Sequence, residues 1–454
     1  MSPSKDALIV IGGGLAGCEA AWQAARYGVD VELYEMRPHR RSPAHRTDSL
    51  AELVCSNSMR GAALENAVGL LKEELARCGS VIVEAARANA VPAGGALAVD
   101  RERFSADVEA RISAHSRITV RREEVHEIPR DRHAVIACGP LPGADLADAI
   151  DRLVGSERLH YYDAAAPIVS ADSIDESRMY RKSRYDKGGG EDYLNIPLDR
   201  ETYLRFVEDL RTLPRHEPKE FELDRGEGKI PYFEGCLPIE EMADRGDDVL
   251  RYGPLKPVGL PDPRTGKVPY AVVQLRKENA SGTALNLVGF QTRLSWPAQK
   301  EAFGKLPGLE NAEWLRLGVM HRNTFIDSPR LLDAQLRLRA HPKVWFAGQV
   351  TGAEGYVEAS ACGMIAGRSA AREILGLDPI AVPHETALGA VVAHLQNTET
   401  SDFQPANVTW AYFTAGSDLP GGKRERHRAM AERALVRIAA WDAAHRATSL
   451  ASAG

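Results

Sequence analysis

Four consecutive aliphatic residues, Leu8 to Ile11, run directly into the glycine cluster Gly12-Gly13-Gly14-Leu15-Ala16-Gly17, and no other stretch restricts the fold as tightly. The aliphatic run predicts a buried strand, and the cluster fits G-x-G-x-x-G. CEAAWQAARYG then predicts a helix closed by Gly28, and VDVELYE predicts a second strand ending in Glu35, eighteen residues after Gly17. Each part has a task. Gly12 allows the tight turn, Gly14 lets the backbone approach a pyrophosphate, and Gly17 permits close helix–strand packing. The helix N-terminus offers N–H groups and partial positive charge to phosphates, and Glu35 can accept the ribose hydroxyl hydrogens. Glycine-rich loops are common. Strand, glycines, helix, second strand and terminal acid in that order make an adenine-dinucleotide site specific.

The chain's 454 residues exceed the ~250–300 over which one core usually grows, so two domains are expected. With 57 basic and 63 acidic residues the net charge is −6, which neither announces nor excludes a nucleic-acid partner, because a local basic face can act inside an acidic total. The six cysteines (18, 55, 78, 138, 236 and 362) form no C-x-x-C pair, which argues against a zinc site and against a disulfide framework. No apolar run reaches ~18 residues, and no signal peptide precedes the first strand. The expectation is a soluble cytoplasmic protein with reduced thiols, no metal and no membrane partner.

The fold class expected is α/β, a Rossmann-like FAD-binding domain with an inserted α+β domain. HAVIACGPL (133–141) predicts a strand that returns to the first sheet. VWFAGQ (344–349) predicts the last one, followed by the turn VTGAEGY and a small-residue helix. Between about 156 and 325 charged, Tyr-rich and Pro-rich stretches alternate with strand candidates such as YAVVQL and ALNLVGF. Residues 1–155 and 325–454 are therefore expected to form a discontinuous cofactor domain, with 156–324 inserted. The tail KRERHRAMAERALVRIAAW (423–441) is a basic amphipathic helix, a pattern met most often as a solvated surface helix.

A strand ending in Gly348-Gln349, then a glycine-rich turn with Gly352 and a helix, suits a flavin. A helix N-terminus beside the pyrimidine edge of the ring stabilises negative charge on the reduced form. Many two-part flavoproteins carry Gly-Asp where this chain has Gly-Gln, and disulfide reductases need a C-x-x-x-x-C near the first helix, which is absent. Only one dinucleotide site is clear, so NAD(P)H is expected to visit transiently.

FAGQVTGAEGYVEASACGMIAG (346–367) resembles the signature shared by two tRNA-modifying flavoprotein families. LVCSNSMRG (53–61), YFEGCLPIEEMADRG (232–246), RYGPLKPVGL (251–260), PYAVVQLRKENASGTALNLVGFQTRLSW (269–296) and LGVMHRNTFIDSP (317–329) are similar to one of them, the folate- and FAD-dependent tRNA (uracil-5-)-methyltransferases. The resemblance spans nearly the whole chain. It implies formation of 5-methyluridine at position 54 in the T arm of tRNA, with carbon from 5,10-methylenetetrahydrofolate and electrons from NADH or NADPH through FAD. It implies no protein partner. Relatives acting on ribosomal RNA exist. The competing readings are an FAD oxidoreductase for a small metabolite and a flavin-containing RNA chaperone without chemistry.

The chemistry wants a thiolate, because C5 of uracil is a poor nucleophile until a thiolate adds to C6, and a second group must then remove the C5 proton. Cys55 precedes Ser56-Asn57-Ser58 and a predicted helix over 61–79, and Arg60 is near; both features favour thiolate. Cys236 lies in a Gly-Cys-Leu-Pro turn beside Glu234, Glu240 and Glu241, which disfavour it, so a basic partner such as Arg251 or Lys256 is required. These electrostatics point to Cys55. The resemblance instead implies Cys236 as the nucleophile on C6 and Cys55 as the assisting thiol or proton acceptor. Cys18, Cys138 and Cys362 read as core residues, and Cys78 as a helix end. Asn57, Gln291 and Arg293 are the polar candidates for substrate. The available basic clusters for RNA are residues 37–46, Arg276-Lys277, and 423–428.

Overall fold

The computed structural model describes residues 7–155, 159–164, 166–216, 237–318, 320–399, 403–413 and 422–445. Leu8–Ile11 (β1) lies at the middle of a five-stranded parallel sheet, flanked by Val31–Tyr34 (β2) and Ala134–Ile136. The order across the sheet is Val344–Phe346, Ala134–Ile136, β1, β2 and Ile118–Arg121. β1, Ala134–Ile136 and Val344–Phe346 contain only buried residues, which explains the unbroken aliphatic runs: a parallel sheet covered on both faces leaves no polar side.

The chain leaves β1 for β2 and only later reaches β1's opposite neighbour. Crossovers that diverge in this way open a crevice beyond the carboxyl end of the first strand. Gly12 sits there with φ +110°, and a Cβ on it would lie 2.4 Å from the Ala137 carbonyl oxygen. Helix Leu15–Arg26 (α1) follows and packs on helix Tyr356–Ile374 through small residues. A Cβ on Gly363 would come within 2.2 Å of the Ala16 oxygen, and one on Gly367 within 2.3 Å of the Ala20 oxygen. Glycines one turn apart on one helix thus face alanines one turn apart on the other.

A second sheet of six strands holds Tyr180–Arg181, Tyr193–Leu198, Ala271–Lys277, Ala284–Leu287, Ile168–Ser170 and Trp314–Arg316, in that order. Its pairings are all antiparallel, and it has a core of its own in which Phe206, Phe290 and Phe303 pack ring on ring. The chain crosses between the sheets along Leu159–Ala164 and Met320–Phe325, and these two segments pair antiparallel with each other.

Two expectations change. The helix expected over 61–79 begins only at Ala67, and Ser58–Gly61 is a strand. The tail helix Lys423–His445 is more than a solvated element: Met430, Ala434, Ile438 and Trp441 enter the first core, and buried Arg368 pairs with Asp442 at 2.8 Å. Among the described residues no helix is long and apolar enough to cross a membrane.

The helix contact yields a direct test. Gly367→Leu should destabilise by about 3 kcal/mol through overpacking, lowering the calorimetric midpoint by roughly 3–5 °C. An unchanged midpoint would contradict this close contact.

Candidate active site at the carboxyl end of the parallel sheet

The glycine loop is built for close approach on one side and open space on the other. A Cβ on Gly17 would lie 1.8 Å from the Gly12 oxygen, whereas one on Gly14 would meet nothing within 4 Å. The first bond of α1 runs from Cys18 N–H to the Gly14 oxygen, so the N–H groups before it are available to a ligand. Gly12, Gly13, Gly14, Leu15, Ala16, Glu35, Gly348 and Gln349 all line one cavity. These residues fit an adenine dinucleotide: an open backbone approach at a helix N-terminus, an acid at the end of β2, and a second glycine turn opposite. Cys138, read as a core residue, is half-buried and lines the same cavity.

Glu35 is already held. Its Oε1 accepts from Arg37 N (3.0 Å) and Nε (2.8 Å), and its Oε2 from Gly13 N (3.0 Å) and Arg37 Nη2 (2.9 Å). Burial pushes its pKa up, but the hydrogen bonds and charge of Arg37 outweigh that and hold it below the usual carboxylate range. A ribose hydroxyl therefore has to share an oxygen with Arg37. The same contacts remove Arg37 from the list of residues available to phosphate; it is buried and also pairs with Glu52 at 3.2 Å.

Cys55 lies on a loop tied down from several sides. The Tyr356 hydroxyl accepts from Cys55 N (2.8 Å) and Ser56 N (3.1 Å), Arg316 Nη2 donates to the Val54 oxygen (2.7 Å), and Arg101 donates to the Leu53 oxygen. Tyr356 also lines the dinucleotide cavity, so one side chain joins the two features. Its own ionisation is pushed up, chiefly by burial and then by Cys55. The positive charge at this loop comes from Arg101 and Arg316, both in electrostatic contact with Cys55. The expected sources were different. The helix N-terminus lies at Ala67, and Arg60 pairs with Glu358. Lys72 pins the strand after the loop, donating to the Met59 oxygen at 2.8 Å and the Val68 oxygen at 3.0 Å. Burial, reinforced by the charge of Arg60, lowers its pKa to about 7.

Several sequence assignments require correction. Asn57 is fully buried: its amide donates to the Val99 and Lys277 oxygens, each at 2.9 Å, and accepts from Arg276 Nε at 3.1 Å. It joins the two sheet systems, with both amide N–H groups spent inside the protein and no surface exposed to substrate, and buried Arg276 is likewise no part of an RNA face. Gly352 ends a short helical turn, with its N–H on the Gln349 oxygen, and a Cβ there would strike the Phe403 ring at 2.6 Å; it holds the turn and does not line the cavity. Gly17 serves packing, as its predicted role required. Arg293 is spent on Glu241 (2.8 Å) and the His216 oxygen (3.2 Å). Arg251 is paired with Asp248 at 2.9 Å. Cys236 lies outside the described residues; Gln291 accepts from Ile239 N at 2.7 Å and so sits against the turn that follows it. Cys18, Cys78 and Cys362 are buried, and burial pushes all three thiols up, to about 12 for Cys78 and about 11 for Cys362.

Tyr356, Arg101, Arg316 and Lys72 escaped sequence reasoning. Tyr356 had a signal, as the first residue of the helix after the glycine-rich turn; the others are isolated basic residues in no pattern.

Comparison with known proteins agrees with this geometry. Residues 7–378 match the family model "Glucose inhibited division protein A". A protein of Heliobacterium modesticaldum is 58% identical over 94% of this chain and 95% of its own length, and one of Pelobacter propionicus is 55% identical over 96% and 95%. Both are named methylenetetrahydrofolate--tRNA-(uracil-5-)-methyltransferase TrmFO. The chain belongs to the TrmFO family. The solved structure of Aquifex aeolicus GidA (form I) has the same fold, with a TM-score of 0.70 at 17% identity, covering 97% of this chain and 76% of that one. The TrmFO relationship covers both sheets and the segment 217–236 that holds Cys236.

Two outcomes are expected. Tyr356→Phe leaves the Cys55 and Ser56 N–H groups without their acceptor, at a cost of about 1–3 kcal/mol, read as a lower urea midpoint and faster alkylation of Cys55. For Lys72, a native pKa below the unfolded value means the unfolded state binds more protons as pH rises from about 7 towards 10.5. Stability should then increase with pH across that window, by at most about 1.4 kcal/mol per unit. Lys72→Met should flatten the rise in urea titrations at pH 7 and 9; an identical rise in both proteins would refute it.

Proposed function

We infer that this chain transfers a one-carbon unit to C5 of a tRNA uridine, forming 5-methyluridine at position 54 of the T arm, with 5,10-methylenetetrahydrofolate as donor. The observation that carries the reading is Tyr356, which lines the dinucleotide cavity and holds the backbone of Cys55. A cysteine loop tied to a cofactor cavity suits uracil C5 chemistry, and a small-metabolite oxidoreductase gives no reason for it.

The N–H groups of Gly14, Leu15 and Ala16 would hold the pyrophosphate of FAD, Glu35 the ribose, and Gly348, Gln349 and the N-terminus of Tyr356–Ile374 the ring edge. Bound FAD would supply the redox chemistry, taking electrons from NAD(P)H for reduction of the transferred carbon to a methyl group. The protein supplies the rest. Cys236 adds to C6, making C5 a nucleophile. Cys55 takes the C5 proton or assists as a thiol; loss of that proton expels tetrahydrofolate from the transferred carbon, and the C6–S bond breaks as reduction of that carbon restores the ring. Arg101, Arg316 and Tyr356 position the Cys55 loop and bring positive charge to it. Residues 156–324 form an insertion whose sequence includes Cys236, and the protein works in the cytoplasm.

Cys236→Ala should lower methylation by at least ~10³-fold, as loss of a covalent catalyst, and Cys55→Ala by about 10²–10⁴-fold, the range for an acid–base group, while the yellow flavin chromophore is retained. Nucleoside analysis of treated tRNA reads the first and absorbance the second. Full methylation by Cys236→Ala would overturn the assignment.

A further inference from the structure

A second cavity of about 860 Å³ opens between the two sheet systems, beside the Cys55 loop. One wall comes from residues 46–52 and 100–106, the other from 278–284, 296 and 314–317. Two features of this lining are unexplained by the dinucleotide site. Trp296 is 59% exposed and Leu315 52%, with Trp314 half-buried between them and the interior. Large flat apolar surface at a cleft mouth is costly in water and calls for a flat partner. The second feature is charge. Arg316 reaches the Val54 oxygen at 2.7 Å through Nη2, while its Nε is buried with no hydrogen-bond partner among the described residues. The guanidinium of exposed Arg46 makes no ion pair among the described residues.

Most carboxylate oxygens of the cleft are engaged, but Glu278 Oε1 is buried with no hydrogen-bond partner among the described residues. Glu278 pairs with Arg101 at 2.9 Å, Glu52 with Arg37 at 3.2 Å, and Asp100 caps the helix Arg101–Ala114. Exposed Glu102 remains at the rim. The walls thus offer aromatic surface and two arginines next to the loop that carries Cys55, with Glu102 and Glu278 Oε1 as the remaining acidic groups.

We propose that this cleft holds the single-stranded RNA segment flanking the target uridine, with a base stacked on Trp296 and phosphates on Arg46 and Arg316. The inference rests on RNA being the substrate, as argued above. Unstacked bases on aromatic faces and phosphates on arginines are how proteins grip single strands, and a cavity of this size takes more than the one base that reacts. Trp296 and Arg46 are binding residues. Arg316 both binds and positions the Cys55 loop.

The test compares wild type, Trp296→Ala, Trp296→Tyr and Arg46→Gln, using an unmodified tRNA transcript and methylenetetrahydrofolate. Trp296→Ala should raise the KM for RNA about 5- to 100-fold, the range for one lost base–aromatic stack, with the KM for folate unchanged. Trp296→Tyr should recover most of the loss, which a folding defect would not allow. Arg46→Gln should weaken RNA binding and reduce its salt dependence by about one counterion. A raised KM for folate with RNA unaffected would assign the cleft to the donor and overturn the proposal, as would unchanged RNA parameters in Trp296→Ala. If wild type methylates no RNA, the functional reading itself fails, which is a separate result.

Discussion

At Gly17 the backbone of α1 meets the backbone of the preceding turn so closely that an added Cβ would stand 1.8 Å from the Gly12 oxygen. The same intimacy recurs at Gly12 against Ala137, at Gly363 against Ala16 and at Gly367 against Ala20. These contacts draw α1, the crevice beside β1 and the helix Tyr356–Ile374 into one rigid unit. The long helix can then aim its N-terminus, and Tyr356 with it, at the cavity over which the glycine loop opens. A bulky residue at any of these points would move the helix and, with it, the acceptor that holds Cys55.

Buried charge fixes the remaining geometry. Glu35–Arg37, Arg101–Glu278 and Arg368–Asp442 are almost wholly removed from water. Such pairs add little net stability, because desolvation offsets most of their attraction, but breaking one leaves an uncompensated charge that strongly penalises the wrong arrangement. Each pair here performs a task of orientation. Glu35–Arg37 holds the Gly13 amide, Arg101–Glu278 spans from the Cys55 side to the second sheet, and Arg368–Asp442 docks the tail helix.

Much of this was legible in the chain. The β1–glycine–α1–β2 unit reads directly, because a strand buried on both faces has to be an unbroken aliphatic run and a loop approaching phosphate has to be glycine. The strand at Val344–Phe346 and its small-residue helix were equally plain. The start of the helix at Ala67 was not: Ser56, Asn57 and Ser58 look like cap residues, yet Asn57 is drawn into bonds with Val99, Lys277 and Arg276, far away in sequence, and Ser58–Gly61 pairs with Ala96–Val99. Local cap chemistry lost to long-range pairing. Arg101 and Arg316 were illegible for the same reason, since only the fold brings positions so far apart in sequence to one loop.

Methyl transfer to uridine is the function proposed for the cofactor cavity and the Cys55 loop that Tyr356 joins. It is tested most directly with purified protein, unmodified tRNA transcript, NADPH and methylenetetrahydrofolate labelled in its methylene carbon, with ribosomal RNA fragments in parallel. Labelled 5-methyluridine is expected in tRNA, at position 54. Label only in ribosomal RNA would contradict the substrate, and no label in either RNA from protein with bound, reducible flavin would contradict the chemistry.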